Sequence, residues 1–209
     1  MFFNTRGALI ETPGTGFVQV PVTDNDPLNG VSDIADFYGN PSYDGQFSAF
    51  SPVRVFNPVG SNVTDVSFII PGTVDAINPL GIPAAVGGFG AVFSDVDLDQ
   101  TTQIQFFDFL GNLIATHVVP AGVVSDGSLS FLGGIATAGE QIGRVRITTG
   151  NAALDASTTE GNGTDLAVMD DFLYAEPQQV QVPEPAALAL LGLGLAAAAR
   201  PVRRRSRRR

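Results

Sequence analysis

The 209-residue sequence predicts an all-β fold: a jelly-roll-like, two-sheet antiparallel sandwich followed by a short C-terminal hydrophobic helix. Three observations carry that expectation. Apolar residues recur with period two in short runs, the pattern of half-buried strands. Glycine (24 residues) and proline (14) punctuate the chain every few positions, which favours many short strands over long helices. Hydrophobic residues make up 44% of the chain and charged ones 15%. A domain of this size buries about 70% of its unfolded surface, so it can hold a core without disulfides or a structural metal.

The elements follow in chain order. Residues 16–22 alternate with Val18, Val20 and Val22 on one face, and residues 63–70 with Val66, Phe68 and Ile70. In residues 102–108, Ile104 and Phe106 alternate with Gln103 and Gln105; Gly111 and Asn112 then make a turn before Ile114, Thr116 and Val118, so 102–119 reads as a hairpin. Further strands are expected at 128–132, 142–149 and 166–174. The runs at 16–22, 63–70 and 102–108 each read as a strand with one wet face; nine to ten strands are expected in all, and no helix is expected before Ala186. Residues 23–46 and 150–164, rich in Asp, Asn, Gly, Ser and Thr, read as exposed loops. The body spans 1–176, a linker 177–182, and a distinct C-terminal segment 183–209.

Charge divides the chain in two. Residues 1–182 hold 20 acidic side chains against four arginines, a net of −16, whereas 183–209 hold Glu184 against seven arginines, a net of +6. A body so negative repels phosphate backbones, and no nucleic-acid partner is expected. The absence of cysteine excludes thiol catalysis and thiolate metal sites. His117 is the sole histidine and no G-x-S-x-G nucleophile motif accompanies it; no glycine-rich turn leads into a phosphate-cradling helix. No catalytic residue is assigned, and the body is expected not to be an enzyme. The rival reading is a surface glycan hydrolase using a carboxylate pair, although nothing in the sequence marks two acids as that pair.

Two acidic motifs are candidate metal ligands. Asp95, Asp97 and Asp99 lie two apart, and on a strand would share one face at about 7 Å spacing, which invites an oxygen-loving cation such as structural Ca²⁺. The spacing is not that of an EF-hand, whose sixth and twelfth positions would fall on Gln100 and Phe106. Asp170 and Asp171 interrupt an apolar strand, so one of them shares a face with apolar neighbours and needs a partner. Arg144 and Arg146 would supply an ion pair; a Ca²⁺ ion shared with Asp95 and Asp97 would serve equally. Phe37, Tyr38, Tyr43 and Phe50 gather rings in or beside a loop, where they form either a binding face or core.

The C-terminus passes through three physical regimes. Val182, Pro183, Glu184 and Pro185 form a motif whose prolines keep it extended and open to an enzyme. Residues 186–199, AALALLGLGLAAAA, carry no polar side chain, yet as a helix reach only about 21 Å, short of the roughly 30 Å hydrocarbon core. Arg200, Arg203, Arg204, Arg205, Arg207, Arg208 and Arg209 follow; the positive-inside bias holds them on the cytoplasmic side, and Arg200 and Arg203 can snorkel to lengthen the span.

Those three parts in order resemble the PEP-CTERM sorting signal of Gram-negative bacteria. The body segments TPGTGF (12–17), FSPVRVFNPVGSNVTDVSFIIPGT (50–73), GFGAVFSDVDLDQTTQIQFFD (88–108), RVRITTGNAAL and VMDDFLYAEP are similar to a β-sandwich domain common among uncharacterised PEP-CTERM proteins. The resemblance implies export, transient inner-membrane anchoring, processing by an exosortase protease at the Pro183, Glu184, Pro185 motif, and delivery to the cell surface or extracellular polymer matrix. The body is expected to be a binding or structural domain; polysaccharide is its candidate contact on fold analogy alone, and an architectural matrix protein that binds no glycan is a further alternative. The resemblance also implies an upstream signal peptide, which MFFNTRGALIETPGTG does not supply, so the N-terminus is expected to be incomplete.

Overall fold

The structure is a computed structural model that describes residues 2–23, 33–122 and 126–180; the sorting motif, the apolar helix and the arginine cluster lie outside the described residues. Thirteen strands form two antiparallel sheets among the described residues. They are β1 (Phe2–Phe3), β2 (Ala8–Glu11), β3 (Gly16–Pro21), β4 (Arg54–Val59), β5 (Val63–Ile69), β6 (Pro83–Ala85), β7 (Gly88–Ser94), β8 (Gln103–Asp108), β9 (Leu113–Val118), β10 (Leu129–Ile135), β11 (Ile142–Thr148), β12 (Val168–Tyr174) and β13 (Gln178–Gln179). One sheet runs β1-β2-β5-β11-β8-β9, with β6 on β5 and β13 on β6; the other runs β10-β7-β12-β4-β3.

The connectivity is that of a jelly roll. Eight strands, β4-β12-β7-β10 in one sheet and β5-β11-β8-β9 in the other, have the order produced by folding one long antiparallel ribbon over itself, with β2 and β3 added on one side. The period-two pattern explains which side chains meet. From β5 come Val66 and Phe68, from β8 Ile104 and Phe106, from β11 Val145 and Ile147; they interlock with Phe89, Ala91 and Phe93 of β7 and Met169 of β12. The β8–β9 hairpin forms as expected: the Asp108 carboxylate accepts from the backbone amides of Leu110 and Asn112, and Gly111 supplies the left-handed φ of +87°.

Two expectations need correction. Strand β3, expected to have one wet face, does not, because residues 33–47 and 150–166 fold back over the outer side of β3, β4 and the start of β12 and bury a second core; β10, at the far edge of the same sheet, keeps an exposed face. In that second core Val20 of β3, Val55 of β4 and Val168 of β12 meet Ile34, Tyr43, Phe47, Leu154 and Leu166. A short helix also precedes Ala186: α1 (Ile34–Tyr38) starts where Asp33 accepts a hydrogen bond from the Asp36 amide and stops at Gly39, φ +65°. Five residues are too few for a periodic pattern to register.

The two segments that read as loops are joined side to side. Asn40 Nδ2 donates to the carbonyls of Asp155 and Thr158, and the Tyr43 hydroxyl lies 2.9 Å from both carbonyl oxygens. The first linker residues belong to the body, since β13 pairs with Ala84 and Ala85 of β6.

Candidate metal centre

The carboxylates of Asp95 and Asp97 converge with that of Glu160: one oxygen from each lies within 4.8 Å of the others. The arrangement departs from the expected strand face. Strand β7 ends at Ser94, and Asp95 takes a left-handed φ of +69°, so 95–97 is a loop that turns the two carboxylates toward a third segment. Asp99 is exposed and lies outside the cluster.

Each ligand is held by a different part of the chain. Asp95 is fully buried, with one oxygen accepting from Gln46 Nε2 and the other from the Gly127 amide, both at 2.9 Å. Glu160 Oε1 accepts from the Leu166 amide at 2.8 Å. Behind them, buried Asp165 accepts from the amide of Asp97 at 2.8 Å and from the Thr101 hydroxyl, fixing the loop that presents Asp97.

The electrostatics are those of a site built for positive charge. Desolvation pushes the Asp95 carboxyl up to about 8, and the charged neighbours acting on it, Glu160 and Asp97, are both negative. Asp97 and Glu160 are raised as well, first by desolvation and then by surrounding carboxylates, Asp165 and Asp126 among them. Three carboxylate oxygens at this spacing, from one buried and two half-buried side chains, could hold a hard, oxygen-preferring cation such as Ca²⁺.

Glu160 was not singled out in the sequence. Its signal is the run Glu160-Gly161-Asn162-Gly163-Thr164-Asp165, in which acids bracket a turn whose Gly161, Asn162 and Gly163 all adopt positive φ.

Asp170 and Asp171 are elsewhere. They occupy the β-bulge between Met169 and Phe172 on β12, where Asp170 accepts from the amides of Phe50 and Ser51 and the Ser51 hydroxyl, and Asp171 from that same hydroxyl. Neither alternative proposed for them is realised: they are not grouped with Asp95 and Asp97, and both arginines bind Asp65 of the neighbouring strand, Arg144 at 2.8 Å and Arg146 at 2.8 and 3.0 Å. The aromatic set divides too. Tyr43 is completely buried, while Phe50 is 63% exposed, so the four rings do not form one binding face.

Residues 181–205 match the PEP-CTERM protein-sorting motif family. No curated protein matches the chain. Among solved structures, the enzymatically active domain of tailspike protein 4 from bacteriophage CBA120 is similar at 11% identity and a TM-score of 0.32, over 82% of this chain and 20% of that one. The present chain thus spans about a fifth of that protein.

Proposed function

From a chain whose C-terminus carries the PEP-CTERM sorting motif, and which is therefore an exported protein sorted through the membrane to the cell surface with an exosortase as processing partner, we propose that the jelly-roll body is a non-catalytic module that contacts extracellular polysaccharide and is braced by a structural Ca²⁺. The motif carries the sorting part. No helix among the described residues is long and apolar enough to cross a membrane; the unbroken apolar sequence of residues 186–199 supports transient inner-membrane anchoring through that run.

The geometry favours binding over hydrolysis. A glycosidase needs two carboxylates that reach the sugar. Asp95 is fully buried with both oxygens accepting hydrogen bonds, and Asp170 holds the 50–51 loop through the amides of Phe50 and Ser51, which takes these two out of the candidate pair; Asp171 and Glu176 line an inter-sheet cleft, where they are read as ligand-binding groups. Release of reducing sugar from extracellular polysaccharide, lost in Asp97→Asn, would restore the hydrolase reading.

The sorting part is tested by mass spectrometry of protein from membrane and extracellular fractions. The expected result is loss of the tail beyond the Pro183–Pro185 region outside the cell; an intact arginine tail there overturns it. The cation is tested by thermal melts of the full chain in millimolar Ca²⁺ and in chelator. At 100-fold excess over Kd a native-state ligand contributes about 2.7 kcal/mol, a shift of several degrees, and Glu160→Gln abolishes most of it. Equal melting temperatures in the two buffers remove the metal from the account.

A further inference from the structure

A cleft of about 850 Å³ opens between the two sheets on the side where β2 and β3 extend the roll. It is separate from the acidic cluster: none of Asp95, Asp97 or Glu160 lines it. Its floor is aromatic. Phe17 and Phe56 stack at 4.9 Å between centroids and 15° between planes, Phe172 meets Phe56 edge-on at 5.6 Å, and Tyr174 stacks against buried Phe89 at 6.5 Å. Phe17, Phe56, Phe172 and Tyr174 are all only half-buried, so their rings form the accessible floor. The polar residues along the walls are Thr5, Arg6, Gln19, Asp170, Asp171 and Glu176, three acids against one arginine, and the Tyr174 hydroxyl is fixed by donating to the Arg6 carbonyl.

The size is that of a ligand site rather than a packing gap. Ring faces carry a partial negative potential, and they attract the C–H faces of a pyranose and any ammonium group it bears. Carboxylates and an amide at the wall accept hydrogen bonds from hydroxyl and ammonium groups. The body's net charge of −16 disfavours an anionic polymer and draws in a cationic one.

We propose that this inter-sheet cleft binds a segment of amine-bearing polysaccharide, a hexosamine polymer with free amino groups, by stacking sugar rings on Phe17 and Phe56 and pairing an ammonium with Asp171. The assignment rests on the polysaccharide-contacting reading above and gives that reading a site and a class of sugar.

The test is calorimetric titration of the full-length chain, in mild detergent, with a glucosamine hexamer, its N-acetylated counterpart and an oligo-alginate. The glucosamine hexamer is expected to bind, and the other two to bind at least about tenfold more weakly. Phe17→Leu keeps apolar volume beside Phe56 and leaves net charge untouched, so a further loss of about tenfold or more marks stacking in the cleft rather than attraction to an acidic surface. Gln19→Ala, at an exposed position, gives a second reading should Phe17→Leu lower the melting temperature.

Equal affinity of wild type and both variants places the sugar elsewhere and overturns the cleft while the polysaccharide reading stands. Equal affinity for the acetylated hexamer overturns the requirement for an amine. Occupancy by a fatty acid, or by a second copy seen as a dimer, overturns the assignment. No affinity for any of the three oligosaccharides overturns it too; if native extracellular polysaccharide also fails to bind, the broader reading falls with it.

Discussion

Asp95 concentrates the chemistry of its site in one side chain. It is fully buried, its φ is +69°, and desolvation is the largest influence on its carboxyl, which rises from 3.8 to about 8. A carboxyl whose folded value exceeds its unfolded one contributes fully below the unfolded value and loses that contribution as pH rises toward the folded one. In chelator the protein should therefore lose stability between about pH 4 and pH 8, and Asp95→Asn should flatten that slope. Urea midpoints measured across the range decide it; a wild-type slope of the opposite sign refutes the account. The two-apart spacing of Asp95 and Asp97 made their grouping legible, but the positive φ that takes Asp95 off the strand was not legible, because nothing in the residue type announces it. Asp170 and Asp171 misled for a related reason: a bulge lets two adjacent carboxylates leave the alternation together.

At the scale of elements, the strands were legible and their coverings were not. Strands β3, β5, β8, β11 and β12 coincide closely with the alternating runs, because a sandwich interior selects one face of each strand. Residues 33–47 and 150–166 carry the polar composition of surface turns, yet contribute Ile34, Tyr43, Phe47, Leu154 and Leu166 to the second core. Isolated apolar residues in a polar run have no period to reveal them. Tyr43 holds these two coverings together through its contacts with the backbone of Asp155 and Thr158, where the Asp155 amide also donates back to the hydroxyl at 3.1 Å. Tyr43→Phe removes those contacts at a part-buried site where Asn40 still donates to both carbonyls, and should cost about 0.5–1.5 kcal/mol. Hydrogen exchange should accelerate in 150–160 far more than in β7 or β11; uniform acceleration across both sheets would show that the two coverings are not a separate unit.

On the scale of the whole molecule, the jelly-roll order places the first and last strands of the roll, β4 and β12, side by side inside one sheet. β12 is paired on both sides, by β7 and β4, in the middle of its sheet. The chain then leaves β12 and joins the other sheet through β13, a two-residue strand whose sheet partner is β6. The acidic body and the basic tail are separate in charge, and this short crossing lies between them.

That crossing is also a mechanical fuse. Of the described elements, β13 is the first that tension from the C-terminal side would meet, and a two-residue strand should peel from β6 at low force, lengthening the tether. Only when β13 has gone does the load reach β12, whose ladders to β7 and β4 share it along the length of the strand. Whatever holds the chain beyond residue 180, a pull on it thus frees a little chain before the folded interior feels the load.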